Sequence, residues 1–156
     1  MNHHDTLTCR PATVDDAPVV TEFSRRCALD SEGLALDPDR VGAGVEAALR
    51  DPERGRYYLA ESAQEPLGQI MITREWSDWR NAWIWWIQSV YVHPDARRQG
   101  VFTALLEYVC DEAARAEAAL LRLYVDKDNG RAEKTYLERN FAQAHYRMLE
   151  RPVDKA

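Results

Sequence analysis

Long apolar runs are missing from this chain. Its densest apolar cluster, residues 82–87, is far too short to span a bilayer. The amino terminus, Met1-Asn2-His3-His4-Asp5, lacks the basic region and apolar run of a secretory signal. The expectation is a soluble, cytoplasmic protein. Cysteine is scarce as well. Cys9, Cys27 and Cys110 are odd in number and scattered, which suits reduced thiols better than a disulfide framework or a zinc site. Cys9 falls in an expected strand, Cys27 in the first helix and Cys110 among the core positions of a later helix, so packing is the role expected of each. No metal is expected, since the His3–His4 pair has no companion ligands and reads as a frayed terminus. Positive charge is in deficit, with 20 Lys and Arg against 26 Asp and Glu and a net charge of -6. That balance argues against a nucleic-acid surface and is compatible with a cationic partner. Neither a Gly-x-x-x-x-Gly-Lys-Ser/Thr loop nor a dinucleotide glycine triplet occurs, which weakens a nucleotide-binding reading. Repeats, low-complexity tracts and linkers are absent too. With 156 residues the chain reads as a single domain over 1–156. A domain of that size buries about 68–70% of its unfolded surface, enough for a substantial core.

What is present alternates between strand and helix patterns. Residues 6–11 read as a first strand. Asp15 and Asp16 then open a helix with Val19, Phe23 and Cys27 on one side, and a second helix runs over 38–49. Residues 56–61 and 67–75 read as strands joined by a turn at 64–66. The next strand, 82–92, is apolar on both faces, as a covered central strand should be. Ala82, Ile84, Trp86, Val90 and Val92 share one side by simple alternation; Trp83, Trp85, Ile87 and Tyr91 share the other. Its length suggests a bulge near Gln88 or Ser89. A helix from about Gln99, a strand over 120–125, a helix over 130–139 and a final strand over 142–150 complete the chain.

The most telling stretch is Val90-Tyr91-Val92-His93-Pro94-Asp95-Ala96-Arg97-Arg98-Gln99-Gly100-Val101-Phe102. A strand passes through a short polar turn into a helix whose apolar residues Phe102, Leu105, Leu106, Val109 and Ala113 mark one buried face. The first turn of such a helix leaves backbone N–H groups without intrahelical partners, and the positive end of the helix dipole joins them to make an anion site. Gly100 lets a phosphate approach without a Cβ in the way, and Arg97 and Arg98 add charge at the mouth. A basic helix start with a chance glycine would read the same. Downstream, Asp128-Asn129-Gly130 supplies capping chemistry, and Asn129, Ala132 and Tyr136 fall on one stripe of the following helix.

These two blocks resemble the signatures of the GNAT family of N-acetyltransferases. The acetyl-CoA motif, Arg/Gln-x-x-Gly-x-Gly/Ala, corresponds to Arg97-Arg98-Gln99-Gly100-Val101-Phe102, with Phe102 in place of a small residue. The second signature, Asn-x-x-Ala-x-x-x-Tyr followed by a helix-ending glycine and a phenylalanine, is met by Asn129, Ala132, Tyr136 and Phe141. Asn140 stands where the glycine would, a physically mild change because asparagine tolerates the left-handed conformation.

The resemblance implies the family's α/β fold: a mixed, mostly antiparallel central sheet with helices on both faces and a splayed pair of central strands. It implies acetyl-CoA as cosubstrate, with Val90, Tyr91 and Val92 along the pantetheine arm and Arg97, Arg98, Gln99, Gly100, Val101, Phe102 and Thr103 around the pyrophosphate. Asn129 would bind the arm, Tyr136 would protonate the departing thiolate, and a backbone N–H of Val90 or Tyr91 would polarise the thioester carbonyl. Many relatives carry a glutamate base on the strand before the turn. Here Trp85-Trp86-Ile87-Gln88-Ser89 has no ionisable side chain, so Glu75 is the candidate base, with Asp126 and Tyr91 behind it. His93 sits in the pyrophosphate turn, at the wrong end of the thioester. The loop 75–79 sets two carboxylates among tryptophans, a composition suited to an alkylammonium group or to a dimer contact. The connection 31–37 is the other wall expected of an acceptor pocket. A small-molecule primary amine is the expected acceptor. An inactive acetyl-CoA sensor is the alternative that the missing strand glutamate favours, and the tryptophans clustered over 76–86 suggest a homodimer.

Overall fold

The computed structural model describes residues 6–154. The amino-terminal residues read above for a signal and for the His3–His4 pair lie outside them. The chain parts into two compact units, one ending at Leu123 and the other starting at Tyr124.

The first unit opens with strand β1 (Thr8–Pro11) and a 3-10 turn at Val14–Asp16, followed by helices α1 (Ala17–Glu32) and α2 (Pro38–Arg50). Strands β2 (Arg56–Ser62), β3 (Glu65–Ser77) and β4 (Ala82–Val92) come next, then helix α3 (Val101–Arg115) and strand β5 (Leu120–Arg122). The five strands form one sheet in chain order. Strands β1 to β4 are antiparallel, and β5 runs parallel to β4. Local chemistry sets the boundaries. Asp16 accepts the Thr13 amide at 2.7 Å ahead of α1, and Gly33 ends that helix at φ +66°. Asp37 caps α2 by accepting the Asp39 amide at 3.0 Å.

Helices cover both faces of the sheet. On one face, Val20 of α1 and Val45 and Ala48 of α2 pack with Tyr57 and Leu59 of β2. On the other, α3 buries Leu105 and Val109 completely, and Tyr108 meets Tyr58 with ring centroids 5.5 Å apart. Full burial of one such aliphatic side chain contributes about 1.5–3 kcal/mol.

Two features of β4 depart from the simple reading. Met71 pairs with Ser89 and Ile72 with Ile87, so Gln88 is the extra residue of a β-bulge, where strand length suggested one. The bulge also corrects the face assignment, because each residue beyond it changes sides. Tyr91 pairs with Gln69, and Gln69 with Leu59, which places Tyr91 on the α1–α2 face. Val90, paired through Ile70 to Tyr58, joins the α3 face with Ile87 and Trp85 rather than that of Trp86. Strand β5 is shorter than the expected 120–125. It pairs with β4 only from Ile84↔Leu120 to Trp86↔Arg122, while β4 runs on to Val92. Pairing stops just before the bulge, whose extra twist turns β4 away from its neighbour. This is the splayed pair.

Cys110 also departs from expectation. It is exposed, because the buried stripe of α3 runs through Leu105, Leu106, Val109 and Ala113 and the next position around the helix turns outward.

In the second unit, helix α4 (Gly130–Leu137) forms as expected, ending two residues early. The strand expected over 142–150 is not formed, and Tyr146, Met148 and Leu149 are exposed. Alternation marks which side chains share a face but provides no partner for the backbone, and Leu149 beside Met148 breaks the alternation.

Candidate active site

The gap beyond Trp86 and Arg122 is lined by the backbone of β4. Before the bulge, the Trp83 carbonyl faces β5 and accepts the Ala119 amide at 2.8 Å. After it, the His93 amide donates to Leu67 on β3 at 2.8 Å. Because main-chain groups alternate along a strand, the Tyr91 amide also faces β3, while those of Val90 and Val92 face away from it into the gap. Of the two candidate donors named from the sequence, Val90 is therefore the one directed to the gap. The Tyr91 ring lies under α1, its centroid 5.0 Å from that of Phe23. The carbonyls of Val90 and Val92 are engaged from the side, by the Cys27 thiol at 3.6 Å and the Arg97 Nε at 3.2 Å.

At the end of the gap, His93 leads into a 3-10 turn at Pro94–Ala96, and α3 starts with Gly100 as its cap. Arg98 at φ +61° and Gly100 at φ +82° are both left-handed, which reverses the chain tightly enough to aim the first turn of α3 back at β4. The first helical bond runs from the Ala104 amide to the Gly100 carbonyl at 2.9 Å. The amides of Val101, Phe102 and Thr103 come ahead of it, at the positive end of the helix. Nothing lies within 4 Å of a Cβ built on Gly100, so the backbone conformation, rather than crowding within the chain, calls for glycine there. Gln99 braces the turn by donating to the Asp95 carbonyl at 2.8 Å. Arg97 bonds Asp30 of α1 at 3.1 Å and the Val92 carbonyl at 3.2 Å. Arg98 is exposed. The set of amides, glycine and Arg98 fits a pyrophosphate.

Sequence reasoning missed Gly68. It pairs with Val92, and a Cβ there would meet the Tyr91 carbonyl oxygen at 2.7 Å and Val101 Cγ1 at 3.0 Å. Gly68 is what lets the start of α3 lie against the sheet, and an isolated glycine inside a strand pattern is the signal that marks such an approach.

Glu75 and Trp76 lie within β3, not in a loop; the turn begins at Asp78, whose carbonyl accepts the Asn81 amide at 3.2 Å. Glu75 Oε2 accepts Trp86 Nε1 at 2.9 Å and Arg122 Nη1 at 3.2 Å. Arg122 also stacks on the Trp86 ring, 5.5 Å from its centroid. These three side chains meet at the last rung before the sheet opens. Of the two walls named for an acceptor pocket, Trp79 at the hairpin tip is 89% exposed, and the connection 33–37 is largely exposed.

In the second unit, Asn129 caps α4 by accepting the Ala132 amide on Oδ1 at 3.1 Å, which leaves its amide nitrogen as the donor. Asp126 holds the preceding turn by accepting the Asp128 amide at 2.8 Å. Asn140 takes φ +65°, and the Phe141 ring meets Tyr136 edge-on at 5.3 Å. No cluster of three or more potential metal ligands occurs among the described residues, and no described helix is long and apolar enough to cross a membrane.

A model of the acetyltransferase (GNAT) family matches residues 20–141. Over 138 residues the chain is 30% identical to an aminoalkylphosphonate N-acetyltransferase of Salmonella typhimurium, with 88% of this chain and 86% of the relative covered. The solved structure of a possible acetyltransferase from Clostridium difficile 630 superposes with a TM-score of 0.92 at 38% identity, covering 96% of this chain and 99% of that one. An aminoglycoside N-acetyltransferase in complex with CoA shares the fold, at a TM-score of 0.81 and 12% identity over 97% of this chain and 98% of that one.

Proposed function

The chain belongs to the GNAT family of acetyltransferases, and we propose that it moves an acetyl group from acetyl-CoA to the primary amine of a small molecule in a ternary complex. The observation that carries this reading is the open edge of β4, where Val90 and Val92 turn their main chain toward a gap that ends at the first turn of α3. The small acceptor is supported by the Salmonella relative, whose name gives it an aminoalkylphosphonate. In this reading residues 1–156 form one acetyltransferase domain, cytoplasmic and without a metal.

Acetyl-CoA supplies the acyl thioester. The amides at the start of α3, with Arg98 and Gly100, hold its pyrophosphate, and Val90 and Val92 pair with the pantetheine arm as an added strand would. Asn129 donates to the same arm. Glu75 takes a proton from the arriving ammonium, because an alkylamine with a pKa of about 10 arrives charged and cannot attack until it loses that proton. The freed nitrogen attacks the carbonyl carbon while the Val90 N–H steadies the charge growing on oxygen. As the carbon–sulfur bond breaks, its electron pair goes to sulfur and Tyr136 gives that sulfur its proton, while the nitrogen releases its remaining excess proton through water to restore Tyr136. The products are an acetamide and CoA.

The test is thiol release from acetyl-CoA across amines, polyamines, amino acids, aminoglycosides and peptides, with Tyr136→Phe beside wild type. Release with a small amine, lowered about 100-fold in the variant while acetyl-CoA affinity is kept, is the expected result. Acetyl-CoA binding without release from any acceptor would overturn transfer in favour of an acetyl-CoA sensor.

A further inference from the structure

We propose that the Glu75–Trp86–Arg122 cluster selects an acceptor that carries an acidic group a few atoms from its amine. The inference rests on the acetyl-transfer reading and names the substrate class of that same site.

Place comes first. Trp86↔Arg122 is the last paired rung of β4 and β5, so the cluster stands where the sheet divides, at the inner end of the gap lined by Val90 and Val92. Its members hold one another. The Trp86 ring carries the Arg122 guanidinium 5.5 Å from its centroid, and its N–H donates to the Glu75 carboxylate at 2.9 Å. Yet the ion pair is open to solvent, with side chains 24% exposed at Arg122 and 47% at Glu75. The other arginines near these tryptophans serve elsewhere. Arg74 stacks on Trp83 and is paired with Glu53, and Arg56 stacks on Trp85.

The donor inventory then decides the ligand. Both bonds to Glu75 fall on Oε2, which leaves Oε1 as the acceptor for an ammonium. Arg122 uses Nη1 toward Glu75, which leaves Nε and Nη2 as a fork suited to a carboxylate, sulfonate or phosphonate. An ammonium on Glu75 draws the carboxylate's charge away from Arg122. A plain alkylamine leaves that guanidinium, only 24% exposed, short of a counter-charge, which is unfavourable. An acidic group on the same molecule replaces what the ammonium took. The cluster thus favours the zwitterion by attraction and disfavours the plain amine by an unmet charge.

The experiment compares kcat/KM for 2-aminoethylphosphonate, taurine and β-alanine with that for propylamine and spermidine, in wild type, Arg122→Gln and Arg122→Lys. Wild type is expected to prefer the acidic acceptors by about 10- to 100-fold, the worth of a charge-assisted hydrogen bond. Arg122→Gln should bring that ratio close to one through KM of the acceptor, with acetyl-CoA affinity unchanged. Arg122→Lys should keep part of the preference. The wild-type ratio alone suffices if a variant fails to fold. Turnover of propylamine or spermidine as good as that of the acidic amines overturns the inference and leaves acetyl transfer standing, as does a ratio undisturbed in Arg122→Gln. Absence of turnover with every amine overturns both.

Discussion

Replacing Gly68 by alanine adds one methyl group at the point where α3 starts against the sheet. That carbon would stand 2.7 Å from the Tyr91 carbonyl oxygen and 3.0 Å from Val101 Cγ1. A carbon–oxygen contact settles no closer than about 3.3 Å, so the shortfall is roughly 0.6 Å. The obstructing oxygen belongs to the β4 backbone and cannot rotate aside. Either β4 or α3 must move, at an overpacking cost of about 1–3 kcal/mol. Alanine returns about 0.5–1 kcal/mol by restricting the unfolded chain at a strand position. The net loss, about 1 kcal/mol at the middle of these ranges, lowers Tm by roughly 2–4 °C in a chain of this size. Differential scanning calorimetry measures it, and titration calorimetry with acetyl-CoA should show weakened binding, because the displaced parts carry the proposed pyrophosphate and pantetheine contacts. Gly100 is the control. A Cβ there meets nothing within 4 Å, so its requirement is conformational and Gly100→Asn should recover much of what Gly100→Ala loses. At position 68 asparagine should be worse than alanine. A Gly68→Ala protein with unchanged Tm and unchanged acetyl-CoA affinity would refute the reasoning.

Asp16 is held below the usual carboxylate range, first by its hydrogen bond from Arg10, opposed by burial. Because the folded value is the lower one, Asp16 contributes stability above its unfolded pKa and loses it as pH falls through the folded one. Asp16→Asn should lower Tm at pH 7, and that difference should shrink as pH falls below the ordinary carboxylate range. At the end of α4, Asn140→Gly should leave Tm nearly unchanged while Asn140→Ala costs about 1 kcal/mol, since position 140 sits at φ +65°. Burial pushes both thiols up, but Cys27 is half-buried and Cys110 exposed. A maleimide followed by peptide mapping should therefore label Cys110 first and leave Cys27 largely unmodified in the folded protein.

Much of the architecture was legible because it rests on local chemistry. The strand, turn and helix from Val90 to Phe102, the cap at Asn129, the left-handed Asn140 and the bulge near Gln88 each follow from a residue's own conformational or hydrogen-bonding habits. What escaped depended on partners distant in sequence. Simple alternation put Val90 with Trp86, but one extra residue at a bulge reverses every face that follows it. The length of β5 is set by where β4 bends, and the strand over 142–150 needed a neighbour that alternation cannot supply. The bond from Arg97 to Asp30, 67 positions back along the chain, had no signal in the local pattern around Gly100. Glu75 could be named as a candidate base from the sequence, whereas its ties to Trp86 and Arg122 come from three strands meeting.

The edge that β4 turns toward the gap is made of main chain, and this decides how the protein can be altered. Alanine scanning across Val90 and Val92 removes side chains that point to α3 and leaves the amide row intact, so such a scan reports on packing. Only proline, which has no N–H, deletes a donor from that row. Side chains there can vary among shapes that suit α3 while the proposed cofactor seat persists, whereas the acceptor choice proposed for Glu75 and Arg122 is written in side chains and can change by single substitutions.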